Sequence, residues 1–101
     1  NQVTVQEIPN RFDLSQNYPN PFNPSTIIKY DLAENVNVTM KIYNIAGQEV
    51  ATIVSGFQEA GSYQVRWDGT NNFGSKVAAG LYIYRLEAGP FTSVKKMMLI
   101  K

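Results

Sequence analysis

The chain has 101 residues, of which 44% are hydrophobic and 17% charged; this suits one globular domain and excludes both a disordered tail and a long-helix protein. Nine basic against eight acidic residues leave a net charge of +1, too small a field to steer a nucleic acid to this surface. The absence of Cys and His removes disulfides, thiolate nucleophiles, sulfur-bound zinc and the usual neutral-pH base.

The opening Asn1-Gln2-Val3-Thr4 carries neither an initiator Met nor a signal-peptide pattern, so the sequence is expected to be a piece of a longer protein. No apolar run approaches the roughly 18 residues that would span a bilayer. Pro9, Pro19, Pro21 and Pro24 all fall within residues 1–25. Each removes a backbone donor and fixes φ, and each preceding residue is pushed out of the α region. The pattern predicts an extended lead-in over 1–25 that lies on a sandwich formed by 26–101, with Ile8, Phe12, Leu14, Tyr18 and Phe22 as apolar anchors.

From Thr26 onward, short runs of β-branched and aromatic residues alternate with Gly, Asn and Asp clusters, the texture of an all-β sandwich. Strands are predicted over about Thr26 to Leu32, Val36 to Tyr43, Gln48 to Val54, Ser62 to Asp68, Leu81 to Ala88 and Thr92 to Ile100. Val3 to Glu7 would add a seventh. Alternation in Val36, Val38, Met40, Ile42, in Tyr63, Val65, Trp67 and in Tyr82, Tyr84, Leu86 puts one set of each on the core face. Ala46-Gly47, Ala60-Gly61 and Gly89-Pro90 supply turn chemistry. No window carries a helical period.

The loop from Asp68 to Gly80 holds Asp68, Gly69, Asn71, Asn72 and Gly74, but it fails the calcium-loop pattern: position three is Thr70, glycine comes one place late at Gly74 and position twelve is Ala79, where a bidentate Glu is required. Those side chains are expected to bond local backbone instead. No His stands ready to activate a Ser or Thr, and no Ser-x-x-Lys is present. Glu34, Glu49, Glu59 and Glu87 fall at strand ends or on polar faces, where solvated surface charge is the expected role. An enzyme is therefore not expected, nor any cofactor or metal. Trp67 continues the alternation of Tyr63 and Val65 and reads as a core residue rather than a sugar-stacking platform.

The last strand, Ser93-Val94-Lys95-Lys96-Met97-Met98-Leu99-Ile100-Lys101, carries three lysines. Two readings stand on the residues alone: the lysines discourage edge-to-edge aggregation, or they mark a handle that another protein reads by strand addition or through acidic pockets.

The segment Phe12-Asp13-Leu14-Ser15-Gln16-Asn17-Tyr18-Pro19-Asn20-Pro21-Phe22-Asn23-Pro24-Ser25-Thr26 closely resembles the opening of the C-terminal sorting domains of the type IX secretion system, found in the Bacteroidetes and related phyla. Ile42-Tyr43-Asn44-Ile45-Ala46-Gly47-Gln48-Glu49-Val50, Trp67-Asp68-Gly69, Val77-Ala78-Ala79-Gly80-Leu81-Tyr82 and Lys95-Lys96-Met97 through Lys101 look like that family's later landmarks, in order. The resemblance runs over about residues 8 to 101. It implies an immunoglobulin-like sandwich of about seven antiparallel strands, carried behind an N-terminal cargo domain in the same polypeptide. Its implied work is to direct that cargo from the periplasm across the outer membrane to the cell surface or medium. The implied partners are the type IX translocon and a sortase-like surface protease, with cleavage and surface attachment as the common sequel. Gly80, Tyr82, Lys95, Lys96 and Lys101 then occupy the positions of the terminal recognition motifs. The sequence also resembles the immunoglobulin-like domain of the flagellar hook-capping protein. A structural or adhesive sandwich, or an accessory carbohydrate-binding domain of an extracellular enzyme, is the alternative reading.

Overall fold

The computed structural model describes residues 8–100, which form seven β-strands and no helix. One sheet takes β1 (Asp13–Leu14), β2 (Thr26–Leu32) and β5 (Gly61–Trp67) in the order β1-β2-β5. The other takes β3 (Val36–Asn44), β4 (Glu49–Gln58), β6 (Gly80–Ala88) and β7 (Phe91–Leu99) in the order β4-β3-β6-β7. All pairings between these strands are antiparallel, and the all-β sandwich expected from the sequence is the observed fold.

The core forms because period-2 alternation delivers one face of each sheet to the space between them. Ile28, Tyr30 and Leu32 enter from β2, Val38, Met40 and Ile42 from β3, Tyr84, Leu86 and Ala88 from β6, and Met97 and Leu99 from β7. Trp67 joins them at 2% exposure, as its alternation predicts. Its ring meets Phe22 at 5.7 Å and the edge of Tyr82 at 5.5 Å, and its Nε1–H donates to Thr70 O at 2.8 Å. Each such side chain contributes roughly 1.5–3 kcal/mol by leaving water.

The expected strand Val3 to Glu7 lies outside the described residues; among those described, the seventh strand is the two-residue β1 inside the lead-in. Two other expectations need correcting. Strand β4 runs to Gln58, four residues beyond the expected end at Val54. Its pairing with β3 shifts between Met40 and Lys41 and again between Ile42 and Tyr43, which leaves Ile53 and Val50 as extra residues. Two bulges break the alternation within the strand, and its missed end opens with Ser55-Gly56, where glycine lowers strand propensity. Second, Ile8 and Tyr18 do not act as anchors, being 64% and 80% exposed. Tyr18 pairs its backbone with Ile27. The neighbouring Asn17 therefore takes the inward position.

The turn between β6 and β7 places Gly89 at φ +57°, and a Cβ there would lie 2.9 Å from Val36 Cγ1. Gly89→Ala is expected to destabilise the domain by about 1–3 kcal/mol, since left-handed strain and a clash with a β-branched neighbour act together. The urea midpoint of the variant measures it.

Candidate recognition surface on the last two strands

Strands β6 and β7 carry four of the five residues that the sequence marks for recognition. Gly80 opens β6 opposite Leu99, Tyr82 pairs with Met97, Lys95 with Tyr84 and Lys96 with Ile83. Lys101 lies outside the described residues. The strand pleat separates the four rather than clustering them. Tyr82 is buried, its hydroxyl donating to Ala78 O at 2.6 Å, so its side chain belongs to the core. Lys95 shares the inward side of β7 with Met97 and Leu99 and is half-buried at the rim. Lys96 stands exposed on the outer face between Val94 and Met98, which are 54% and 38% exposed. Adjacent lysines thus point to opposite faces. A flat partner meets only one of them.

Strand β7 is the outermost of its sheet, yet much of its outward edge is occupied. Lys96 O accepts from Gln16 Nε2 at 2.6 Å. Met98 N–H donates to Asn20 Oδ1 at 3.0 Å, Met98 O accepts from Phe22 N–H at 2.9 Å, and Ile100 N–H donates to Phe22 O at 2.9 Å. Phe22 and Leu99 form a parallel bridge. The lead-in therefore lies along the last strand and satisfies its orphan groups, while its own prolines offer no N–H to a further strand.

The cover is held from beneath by a buried polar network. Tyr84, at 0% exposure, donates its hydroxyl hydrogen to Ser15 O at 2.6 Å and accepts from Asn17 N–H at 2.8 Å. Asn17 Nδ2 donates to Thr26 Oγ1 at 3.0 Å and to Pro19 O at 3.1 Å, and the Thr26 hydroxyl donates to the same carbonyl at 2.8 Å. Leu14 and Phe22 are buried on either side, and Phe12 stacks on Phe91 at 5.5 Å. Burial pushes the Tyr84 hydroxyl up to about 12, against the smaller opposing effect of its bond with Asn17. Every buried side-chain polar atom among the described residues has a partner. Gln16, Asn17, Asn20 and Thr26 were not singled out as functional by sequence reasoning, and Tyr84 was placed in the core without its hydrogen-bonding role. Their one advance signal is the run of amides between prolines, where side chains must supply the hydrogen bonds that prolines lack.

Elsewhere Asp68 and Asn71 bond within their own loop, as expected, whereas Asn72, expected to do the same, reaches back to β4, its Oδ1 accepting from Thr52 N–H at 2.9 Å and its Nδ2 donating to Glu49 Oε2 at 3.3 Å. Thr70 donates to Asp68 Oδ1 at 2.6 Å, and the backbones of Phe73 and Ser75 donate to Asn71 Oδ1. The Thr70 hydroxyl holds the Asp68 carboxyl below its usual range. Lys41 and then Thr52 do the same for Glu49, with Lys41 Nζ 3.2 Å away. Glu87 pairs with Arg85. Among the described residues no three acidic, His or Cys side chains gather as a metal site would require.

Two antiparallel sheets, a tryptophan buried between them and a segment laid along one rim define an immunoglobulin-like β-sandwich. The FlgD Ig-like domain model matches residues 22–90, and the chain belongs to that family. The kinship with hook-capping immunoglobulin-like domains expected from the sequence is thereby shown. Among solved structures, the chain is similar to dimeric latent PorU from Porphyromonas gingivalis (23% identity, TM-score 0.72, covering 88% of this chain and 9% of that one). It is also similar to FlgD from P. aeruginosa (22%, TM-score 0.57, 73% and 58%). A third is PorZ, a surface component of the type IX secretion system of Porphyromonas gingivalis (18%, TM-score 0.57, 85% and 11%). At these identities the likeness is one of fold, and the chain spans only a small part of PorU and PorZ. No curated protein matches the sequence.

Tyr84→Phe leaves Ser15 O and Asn17 N–H without their partner and is expected to cost about 1–3 kcal/mol, read from denaturant unfolding, with faster amide exchange at Asn17. The same hydroxyl sets an alkaline limit. Its folded value, about 12, lies above the ordinary 10.0, so its contribution is complete below pH 10 and is lost as pH rises through 12. Unfolding curves across that window are expected to fall, and to fall less steeply in Tyr84→Phe.

Proposed function

We propose that this chain is a C-terminal sorting domain that directs a cargo across the outer membrane through the type IX secretion system. The observation that carries the reading is the display of Lys96 on the outer face of β7, between the exposed apolar Val94 and Met98, on a strand whose edge is already taken by the lead-in. A partner then reads the face of the last strand, not its edge: Lys96 offers the charge and Val94 and Met98 the apolar contact. Lys95 extends the set at the rim and Lys101 belongs to it by its place in the sequence, while Gly80 and Tyr82 act indirectly by shaping the strand that presents them. The ordered landmarks from Phe12 to Lys101 support the reading, as does the similarity of fold to PorZ.

On this reading the partners are the translocon and a sortase-like surface protease, the cargo lies N-terminal in the same polypeptide, and the route runs through the periplasm to the cell surface. The domain itself is a non-catalytic module. The match to the FlgD Ig-like domain favours a second reading, a structural sandwich within a larger surface assembly.

Fusing the 101 residues behind a periplasm-exported fluorescent protein separates the two. Translocon-dependent surface delivery supports sorting; periplasmic retention of a folded fusion supports the structural module. Within that assay Lys96→Ser is expected to reduce delivery more than Lys95→Ser. Stability should stay within about 0.5 kcal/mol in the Lys96 variant, because the side chain is exposed.

A further inference from the structure

Among the described residues the sandwich has four outermost strands, and three are visibly protected. Strand β1 is two residues long. Strand β4 is broken by two bulges, and Asn72 takes its Val50 carbonyl and Thr52 N–H. Strand β7 lies under the lead-in. Strand β5 has none of these devices: Gly61 to Trp67 pairs with β2 in one unbroken register, and its side chains include a single charge, Arg66.

Which groups of β5 point outward follows from its neighbour. Ile27 and Lys29 direct their backbone groups to Tyr18 and Ser15 in the lead-in, so Thr26, Ile28, Tyr30 and Leu32 are the β2 residues that bond β5. Their partners are Trp67, Val65, Tyr63 and Gly61. The N–H and C=O of Ser62, Gln64 and Arg66 therefore face away from β2, and among the described residues they meet no backbone partner. Their side chains are exposed, whereas Tyr63 and Val65 are half-buried on the core side.

We propose that the β5 edge is a self-association surface, where β5 of a second copy pairs antiparallel across a two-fold axis through Gln64. In that register Gln64 opposes Gln64, Ser62 opposes Arg66, and Tyr63 opposes Val65. All six outward backbone groups of each copy find partners. No like charges face one another, because each Arg66 lies across from a serine. The two Lys29 side chains are three strand spacings apart, about 14 Å, beyond the screening length at physiological salt. Each half-buried Tyr63 gains a β-branched cross-strand neighbour. The two three-stranded sheets become one of six strands, with the closed symmetry typical of homodimers. Nothing in this pairing depends on the sorting reading.

The absence of Cys from the sequence makes a single introduced thiol a clean reporter of register. Gln64→Cys places two thiols opposite each other at about 5.5 Å between Cα atoms, within disulfide range, whereas Ser62→Cys places them about 14 Å apart. On mild oxidation of the full chain, Gln64→Cys is expected to give a covalent dimer and Ser62→Cys to remain monomeric. Sedimentation equilibrium of the unmodified chain from about 1 µM to about 1 mM is expected to show a monomer–dimer equilibrium. Gln64→Lys, which sets like charges face to face, is expected to weaken it about tenfold. Gln64→Pro removes an outward N–H without touching the β2 ladder and is expected to abolish it, with circular dichroism reporting the fold of both variants. A chain that stays monomeric throughout, a dimer indifferent to Gln64→Lys, or equal cross-linking from positions 62 and 64 overturns the proposal. Monomer alone would leave the edge to a strand from a different protein.

Discussion

The Tyr84 hydroxyl sits fully buried between the lead-in and the larger sheet, donating to Ser15 O and accepting from Asn17 N–H. A phenol at that depth is tolerated only because both of its bonds are made, and both partners come from a segment that has no long strand or helix of its own. The dependence runs the other way too. Held at Ser15 and Asn17, the lead-in can send Phe22 into the core against Trp67 and lay its backbone beside Leu99. The finish of the last strand thus rests on a hydrogen bond made in the middle of the strand beside it.

Much of this architecture was legible in the sequence because alternation is a direct record of which face is buried. Met40 and Ile42, Tyr84 and Leu86, and Trp67 were placed in the core by period alone, and all are there. Where local composition disfavours a strand, the reading stopped short: β4 continues through Ser55 and Gly56 to Gln58, although glycine is a poor strand former. The recognition surface was legible only as a set of positions. That Lys95 and Lys96 part company follows from the pleat and could be deduced in advance. That Gln16 and Asn20 reach β7 could not, since nothing local in a chain records contacts made 80 and 78 residues away.

The covered edge also sorts the two readings of the lysine-rich strand. An edge already paired has little use for charge as a deterrent to aggregation, at least where Lys96 and Met98 are bonded to the lead-in. The exposed ammonium on the face is then left with a different explanation, and the apolar residues flanking it give a partner something to bury. By contrast β5, with its plain register and open groups, is the side of the molecule where backbone hydrogen bonding still has unused capacity.

The parallel bridge between Phe22 and Leu99 has a mechanical meaning. Parallel neighbours pulled from opposite ends, one through the chain before Phe12 and the other through the chain after Leu99, slide along each other. The two hydrogen bonds of Phe22 therefore resist together, in shear, and cannot be opened one after the other like a zip. Tension entering before Phe12 is taken first by β1 and by the bonds of Ser15 and Tyr18 to β2 and Tyr84, and what passes them is borne at this seam. A sandwich joined in this way shares a pull on its two ends between strand β2 and the last strand, through contacts made by one short segment.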